Sequence, residues 1–380
     1  MDAHRDPPVT DDLSALAWVL DELRKTLEAA HKSLRRYLRE VVAVEGADLD
    51  DVEPAILRNA RQAIHQSVGA LELVNLPEGA MLMRSAEQLV QRFVAKPQRL
   101  DAAGVEAIER VSFALLDYLG QKLAGRPVQP VALFAPWRAL LELNGAERIH
   151  PADLWPHDWQ WHAVAAPAVA PRAPDAALLA GFEKALLALV RQNTPAAAAV
   201  LARDCLGLAA AARGEEATQW RLAAAFFQAW GLGLLPPDMF LKRTASRVMA
   251  QLRGRVKGEE GSGERLAQDL LFYCARAWPA PGVQASLLAA VHAAYGLTPQ
   301  VPVDYNEPLY GRRDPSLVLQ ARKRVGIAKE VWNGAAAGDA ERVAHLNEAF
   351  TLVGDSISRL YEDGGRLARA LSAAAAATPA

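Results

Sequence analysis

The chain has 380 residues, enough for two or three domains, and a formal net charge of −2, which excludes a broadly basic surface for nucleic acid or anionic membrane. Hydrophobic residues make up 51% of an alanine-rich composition and aromatic residues only 7%, a balance that suits packed helices better than sheets. No apolar run is long enough to span a bilayer, and the acidic start, MDAHRDPPVTDD, is unlike a secretory signal, so a cytoplasmic protein without membrane insertion is expected.

Helical periodicity dominates in chain order. After Asp11 and Asp12, apolar residues at Leu16, Val19, Leu20, Leu23, Leu27, Leu34, Leu38 and Val41 predict a long first helix that ends near Gly46. The second is expected from about Asp48–Asp51, with Pro54 in its first turn, to about Asn75. Pro77-Glu78-Gly79 should break the chain before a third helix, AMLMRSAEQLVQRFVAK, and a fourth, DAAGVEAIERVSFALLDYLGQKLAG. Four amphipathic helices joined by short links predict an antiparallel bundle over residues 1–125.

Residues 126–174 form a Trp- and Pro-rich connecting segment with a short helix around Trp137–Leu143. Its Ala/Pro-rich end places a domain boundary near 165–174. A second all-helical domain is expected over 175–370, with helices at 175–192, 195–212, 215–231, 237–257, 263–277, 283–295, 315–333 and 339–361. The segment TPQVPVDYNEPLYGRRDP should run extended between two groups of them. Residues 371–380, within ARALSAAAAATPA, read as an Ala-rich tail or linker. The fold class is therefore all-α.

The stretch RQAIHQSVGALELV, residues 61–74, poses the functional question. On the second helix Leu57, Ala60, Ile64, Val68, Leu71 and Asn75 follow one apolar face. Arg61, His65, Gly69 and Glu72 form the neighbouring line, spaced by three and four. His65 then sits at the edge of the core with its imidazole toward solvent, and Gly69 leaves bare backbone beside it. Glycine costs about 1 kcal/mol relative to alanine inside a helix, and here it caps nothing. An accessible imidazole on a rigid helix is what a phosphoacceptor needs, since a partner must approach it in line. The ordinary alternative is a surface histidine beside a glycine that eases packing. His292 and Gly296 repeat the spacing, but there the glycine ends a helix and explains itself as a cap.

The four predicted helices together with His65-Gln66-Ser67-Val68-Gly69 resemble a histidine phosphotransfer (Hpt) domain, whose motif is H-x-x-K-G on the second helix. More narrowly, HQSVGALELVNLPEGAMLMRSAEQLVQ looks like the first domain of ChpA-type histidine kinases of type IV pilus chemosensory systems and of FimL-like scaffold proteins. YGRRDPSLVLQARKRVGIAKEVWNGAAAGD and LNEAFTLVGDSISRLY look like the second helical domain of that pair. The resemblance implies a signalling or scaffold module that docks response-regulator receiver domains or other chemosensory and pilus proteins through Arg61, Gly69 and Glu72. It implies phosphotransfer through His65, with no cofactor, no metal and no nucleic acid. Val68 replaces the motif's lysine, and Arg61 is the nearest cation on that line. FimL-like proteins lack the phosphorylatable histidine and act as scaffolds, so the alternative is a non-phosphorylated all-helical adaptor. No G-x-x-x-x-G-K-[ST] loop is present, so ATP chemistry in such a system lies outside this chain.

Two further clusters stand out. His150, His157 and His162 with Asp153 and Asp158 crowd a Trp-rich stretch; the spacing matches no metal site, and Trp155, Trp159 and Trp161 suggest a segment pinned between helices. Arg312-Arg313 and Arg322-Lys323-Arg324 form a local basic patch, either a solvated helix face or a docking surface for an acidic partner. Cys205 and Cys274, on separate apolar stretches, read as reduced core thiols.

Overall fold

A computed structural model describes residues 13–43, 55–259, 261, 263–361 and 363–377, and all regular structure among them is helical. The chain divides into two compact units. One comprises Met1–Ile149 with Tyr305–Ala380, the other His150–Asp304.

The first unit opens with α1 (Leu13–Ala43), α2 (Ala55–Leu73), α3 (Pro77–Ala95) and α4 (Ala102–Leu123). Helix α1 packs on α2 and α4, α2 on α3, and α3 on α4, closing a four-helix ring. The expected stripe on α1 is buried through Leu34, and His31 and Tyr37 join it. On α2 the stripe Leu57, Ala60, Ile64, Val68 and Leu71 is buried as its spacing predicts. The expected ends of α1 and α2 near Gly46 and Asp48–Pro54 lie outside the described residues, as do Asp11 and Asp12.

The turn between α2 and α3 differs from the expected one. Asn75 takes a left-handed φ of 53° and is exposed rather than part of the stripe. Leu76 N–H donates to Leu71 O (2.9 Å) and Asn75 N–H to Glu72 O (3.1 Å), a Schellman stop. Pro77 then starts α3 as its first residue, where its missing N–H costs nothing, and Glu78 sits in the first turn. Pro77-Glu78-Gly79 is a helix start, not a break. Asp101 caps α4 by accepting from Gly104 N–H at 2.8 Å.

Helix α5 (Phe134–Asn144) packs on α3 and α4. Trp137 Nε1–H donates to Ser85 Oγ (3.0 Å) and Asn144 Nδ2–H to Ser85 O (2.8 Å), so Ser85 anchors both ends of the short helix. Tyr305 is buried edge-on against Phe134. The second unit intervenes in the chain, and the first resumes with α12 (Pro315–Ala336), α13 (Ala340–Leu360) and α14 (Gly364–Ala376). A small core of Ala328, Val331, Leu346, Ala349, Val353 and Ala375 joins them. The expected tail is thus helical to Ala376, with Ala375 buried in this core and Leu371 packed against it.

The second unit holds α6 (Ala176–Gln192), α7 (Pro195–Ala211), α8 (Gly214–Gly231), α9 (Met239–Val256), α10 (Glu264–Arg276) and α11 (Ser286–Ala294), all close to their sequence-expected bounds. Helix α8 is its axis: Trp220, Leu222, Phe226, Phe227, Ala229 and Trp230 are buried around most of its circumference, and α7, α10 and α11 pack on it.

The boundaries of the two units also differ from the expected ones. Residues 155–172 are not a free linker. Arg221 donates to Val164 O at 2.7 Å, Arg172 N–H donates to Gly207 O at 2.9 Å, and Val164 is buried. Gly207 on α7 has no Cβ, which leaves room for the Arg172 stem. The region expected as one domain over 175–370 divides at Asp304–Tyr305, with α12 to α14 in the first unit.

Candidate functional site

Arg61, His65, Gly69 and Glu72 occupy one face of α2, as their spacing requires. Arg61, His65 and Glu72 are exposed, and the His65 side chain keeps 61% of its accessible surface. Among the described residues, a Cβ built at Gly69 would meet nothing within 4 Å, and its φ is not positive. Neither internal packing nor backbone geometry therefore demands glycine there.

Helix α3 supplies two residues that the reading of α2 alone did not include. Glu87, only 17% exposed, lies 3.2 Å from His65 Nδ1 and 3.4 Å from Arg61 Nε. One turn along the same seam, Arg84 pairs with Glu72. The seam thus carries two ion pairs across the helix–helix boundary, with bare Gly69 between them on the α2 side. With Nδ1–H donated to Glu87, the His65 Nε2 lone pair remains at the exposed edge of the ring. A carboxylate that fixes the tautomer and plane of an imidazole prepares its other nitrogen for nucleophilic attack.

Val68, at the position of the Hpt motif's lysine, is 5% exposed and points into the core. Val68 itself brings no cation to the histidine. Arg61 is the cation that α2 brings to the histidine, and it shares Glu87 with it.

The other clusters resolve into packing. His150 Nε2 lies 3.1 Å from Thr244 Oγ1 while Ala152 N–H donates to Nδ1 at 3.2 Å, and Phe240, Phe272 and Tyr273 surround the ring edge-on. His157 stacks on Trp155 with centroids 4.4 Å apart, and burial lowers its pKa. Trp159 and His162 contact Tyr295 at the end of α11. Trp155 and Trp159 thus fasten the segment to α10 and α11 through Phe272 and Tyr295. Among the described residues, no three His, Cys, Asp or Glu side chains are grouped to hold a metal ion. Cys205 and Cys274 are buried and free, with thiol pKa values raised by desolvation. Arg324 donates to Leu352 O and Ser356 Oγ, so part of the basic patch fastens α12 to α13.

Residues 167–308 match the family model described as the FimL scaffold protein second domain. The match spans most of the second unit, His150–Asp304, and does not extend to the stretches at 310–339 and 346–361, expected to belong to the same domain. No curated protein and no solved structure matches the chain. Among the described residues, no helix is long and apolar enough to cross a membrane.

Proposed function

We propose that the protein is a scaffold module of a type IV pilus chemosensory system, acting in the cytoplasm, and that the α2–α3 seam of its first unit is an Hpt-like face on which a receiver domain docks. The FimL scaffold domain supports the system and the scaffold role. One observation carries the site: an exposed His65 oriented by Glu87, next to a glycine that nothing inside the fold requires.

The chemistry this face can perform is phosphoryl transfer. His65 Nε2 attacks the phosphorus of the partner's aspartyl phosphate in line. The bond from phosphorus to the acyl oxygen breaks, the aspartate carboxylate leaves, and the phosphoryl group rests on Nε2. The Nδ1 proton stays in its hydrogen bond to Glu87, which offsets charge that develops on the ring. Arg61, which shares Glu87 with His65, is the cation that α2 offers to the phosphoryl oxygens. Incubating the full chain with a radiolabelled phospho-receiver from the same system tests the reading. Label on the wild type that is lost in His65→Gln supports it; equal label in both ends it.

Val68 favours a second reading. With an apolar core residue at the lysine position, the face binds a receiver without accepting phosphate. In that case His65→Gln leaves the complex intact, and Gly69→Leu, which raises a bulky side chain on the docking surface, breaks it.

A further inference from the structure

The loop Tyr310-Gly311-Arg312-Arg313 is pressed directly onto α4. Gly311 has φ +71°, and a Cβ there would lie 2.6 Å from Arg110 O and 2.7 Å from Ala114 N, so only glycine lets the backbones meet. Gly311 N–H donates to Asp117 Oδ2 at 3.0 Å, and Tyr310 packs edge-on against Tyr118 with centroids 6.0 Å apart. This fixation places two consecutive arginines on the lining of an open cavity of about 610 Å³ that Arg126 also lines. Leu309, Tyr310, Val318 and Tyr361 supply its apolar walls.

The guanidinium groups are held by neutral acceptors. Arg126 donates to Gln121 Oε1 (2.7 Å), Arg312 to Pro308 O, and Arg313 to Leu360 O while its guanidinium stacks 4.1 Å from the Tyr361 ring centroid. Among the described residues none of the three forms an ion pair with a carboxylate. The one acid that lines the cavity, Asp117, already accepts from Gly311. Three positive charges therefore converge on a concave surface of a chain whose formal net charge is −2. Guanidinium forks held in place lose little entropy when they meet carboxylates, and Arg and Tyr are the side chains enriched at interface hot spots.

We propose that this cavity is a second docking site, which receives an acidic peptide segment of a partner protein, its carboxylates on Arg126, Arg312 and Arg313 and an apolar side chain against Leu309 and Tyr361. The open cavity and the exposed Leu309 and Tyr361 side chains suit a peptide that lies across the surface better than an enclosed small molecule. The site is independent of His65 and of the phosphotransfer reading.

Fluorescence anisotropy on the full chain tests it, with a labelled twelve-residue peptide of Glu, Asp and Leu as the probe and its Gln/Asn counterpart as the control. The expected result is saturable binding of the acidic peptide only, weakened about tenfold or more by either Arg312→Gln or Arg126→Gln and reduced by added salt. These two exposed arginines lie on separate segments, so a folding defect in one variant leaves the other to decide. Equal binding of the two peptides, or acidic-peptide binding that neither variant weakens, overturns the proposal. So does displacement of the peptide by ATP or pyrophosphate at micromolar concentration, which would mark a small-phosphate site.

Discussion

The carboxylate of Glu87 lies 3.2 Å from Nδ1 of His65, across the seam between α3 and α2. Glu87 is mostly buried while His65 is mostly exposed, so the acid is the fixed partner and the imidazole the one it orients. Glu87→Gln should keep the contact but lose the charge, and Glu87→Ala should free the ring. The expected outcome in ¹⁵N NMR of the ring nitrogens is a predominant Nδ1–H tautomer in the wild type and a mixture in Glu87→Ala. If His65 accepts phosphate, labelling of Glu87→Ala should slow by about ten- to a hundredfold, the scale on which misplacement of a reacting group acts. An unchanged tautomer ratio would remove Glu87 from the site.

Gly69 separates stability from function. A Cβ at this position meets open space, so Gly69→Ala gains helix propensity without a collision. It should stabilise the first unit by about 1 kcal/mol, visible as a higher midpoint in urea. Gly69→Leu should fold equally well, because its side chain also projects outward, yet lose binding of a receiver domain. A glycine retained for packing would behave in the opposite way, and both variants would destabilise.

What the sequence carried and what it left out follow from the range of the interactions. The α2 stripe was legible because 3.6-residue periodicity is local, and Leu57, Ala60, Ile64, Val68 and Leu71 are all buried. Asn75 fits the same spacing but terminates the helix, since Asn tolerates a left-handed φ and the next two residues favour a new start. Glu87 was not legible as a site residue because its meeting with His65 depends on the register between two helices. A pointer existed in the pairing of Arg84 and Glu87, three apart on the polar side of α3, with charges on α2. The two compact units divide at Ile149–His150 rather than at 165–174 for a related reason: Ala- and Pro-rich composition marks a linker only when nothing holds its backbone, and here Arg172 N–H donates to Gly207 O while Arg221 donates to Val164 O just before the segment.

Gly311 and Gly125 form a matched pair for measuring the close approach of the arginine loop. Both have φ near +70°, but a Cβ at Gly125 meets nothing within 4 Å whereas one at Gly311 collides with the α4 backbone. Gly125→Ala should cost about 1 kcal/mol, the left-handed penalty alone. Gly311→Ala should cost about 3 kcal/mol or more, because the loop must also shift. Denaturant midpoints of the two variants check this, and equal costs would mean that the loop is not held against α4.

His31 predicts the pH dependence of the first unit. It lies on α1 at 6% exposure, edge-on to Phe113, and among the described residues its buried Nε2 has no hydrogen-bond partner. Desolvation, followed by repulsion from Arg35, lowers its pKa from 6.5 to about 4, against weaker opposing pulls from Asp314 and Glu28. As pH falls below 6.5 the unfolded chain takes up a proton at this position and the folded chain does not. Stability contributed by the neutral, buried ring is therefore present above pH 6.5 and lost progressively down to about pH 4, by up to about 3 kcal/mol. His157 and His292 in the other unit, both lowered by burial, add losses of the same sign there. His31→Phe, which preserves the ring against Phe113 and removes the titrating nitrogen, should flatten the acid limb of the first unit's unfolding free energy between pH 6.5 and pH 4. Urea titrations at pH 7.5, 6, 5 and 4.5 should show the variant gaining on the wild type at each step. Parallel curves would mean that His31 can reach solvent or a partner when it becomes protonated.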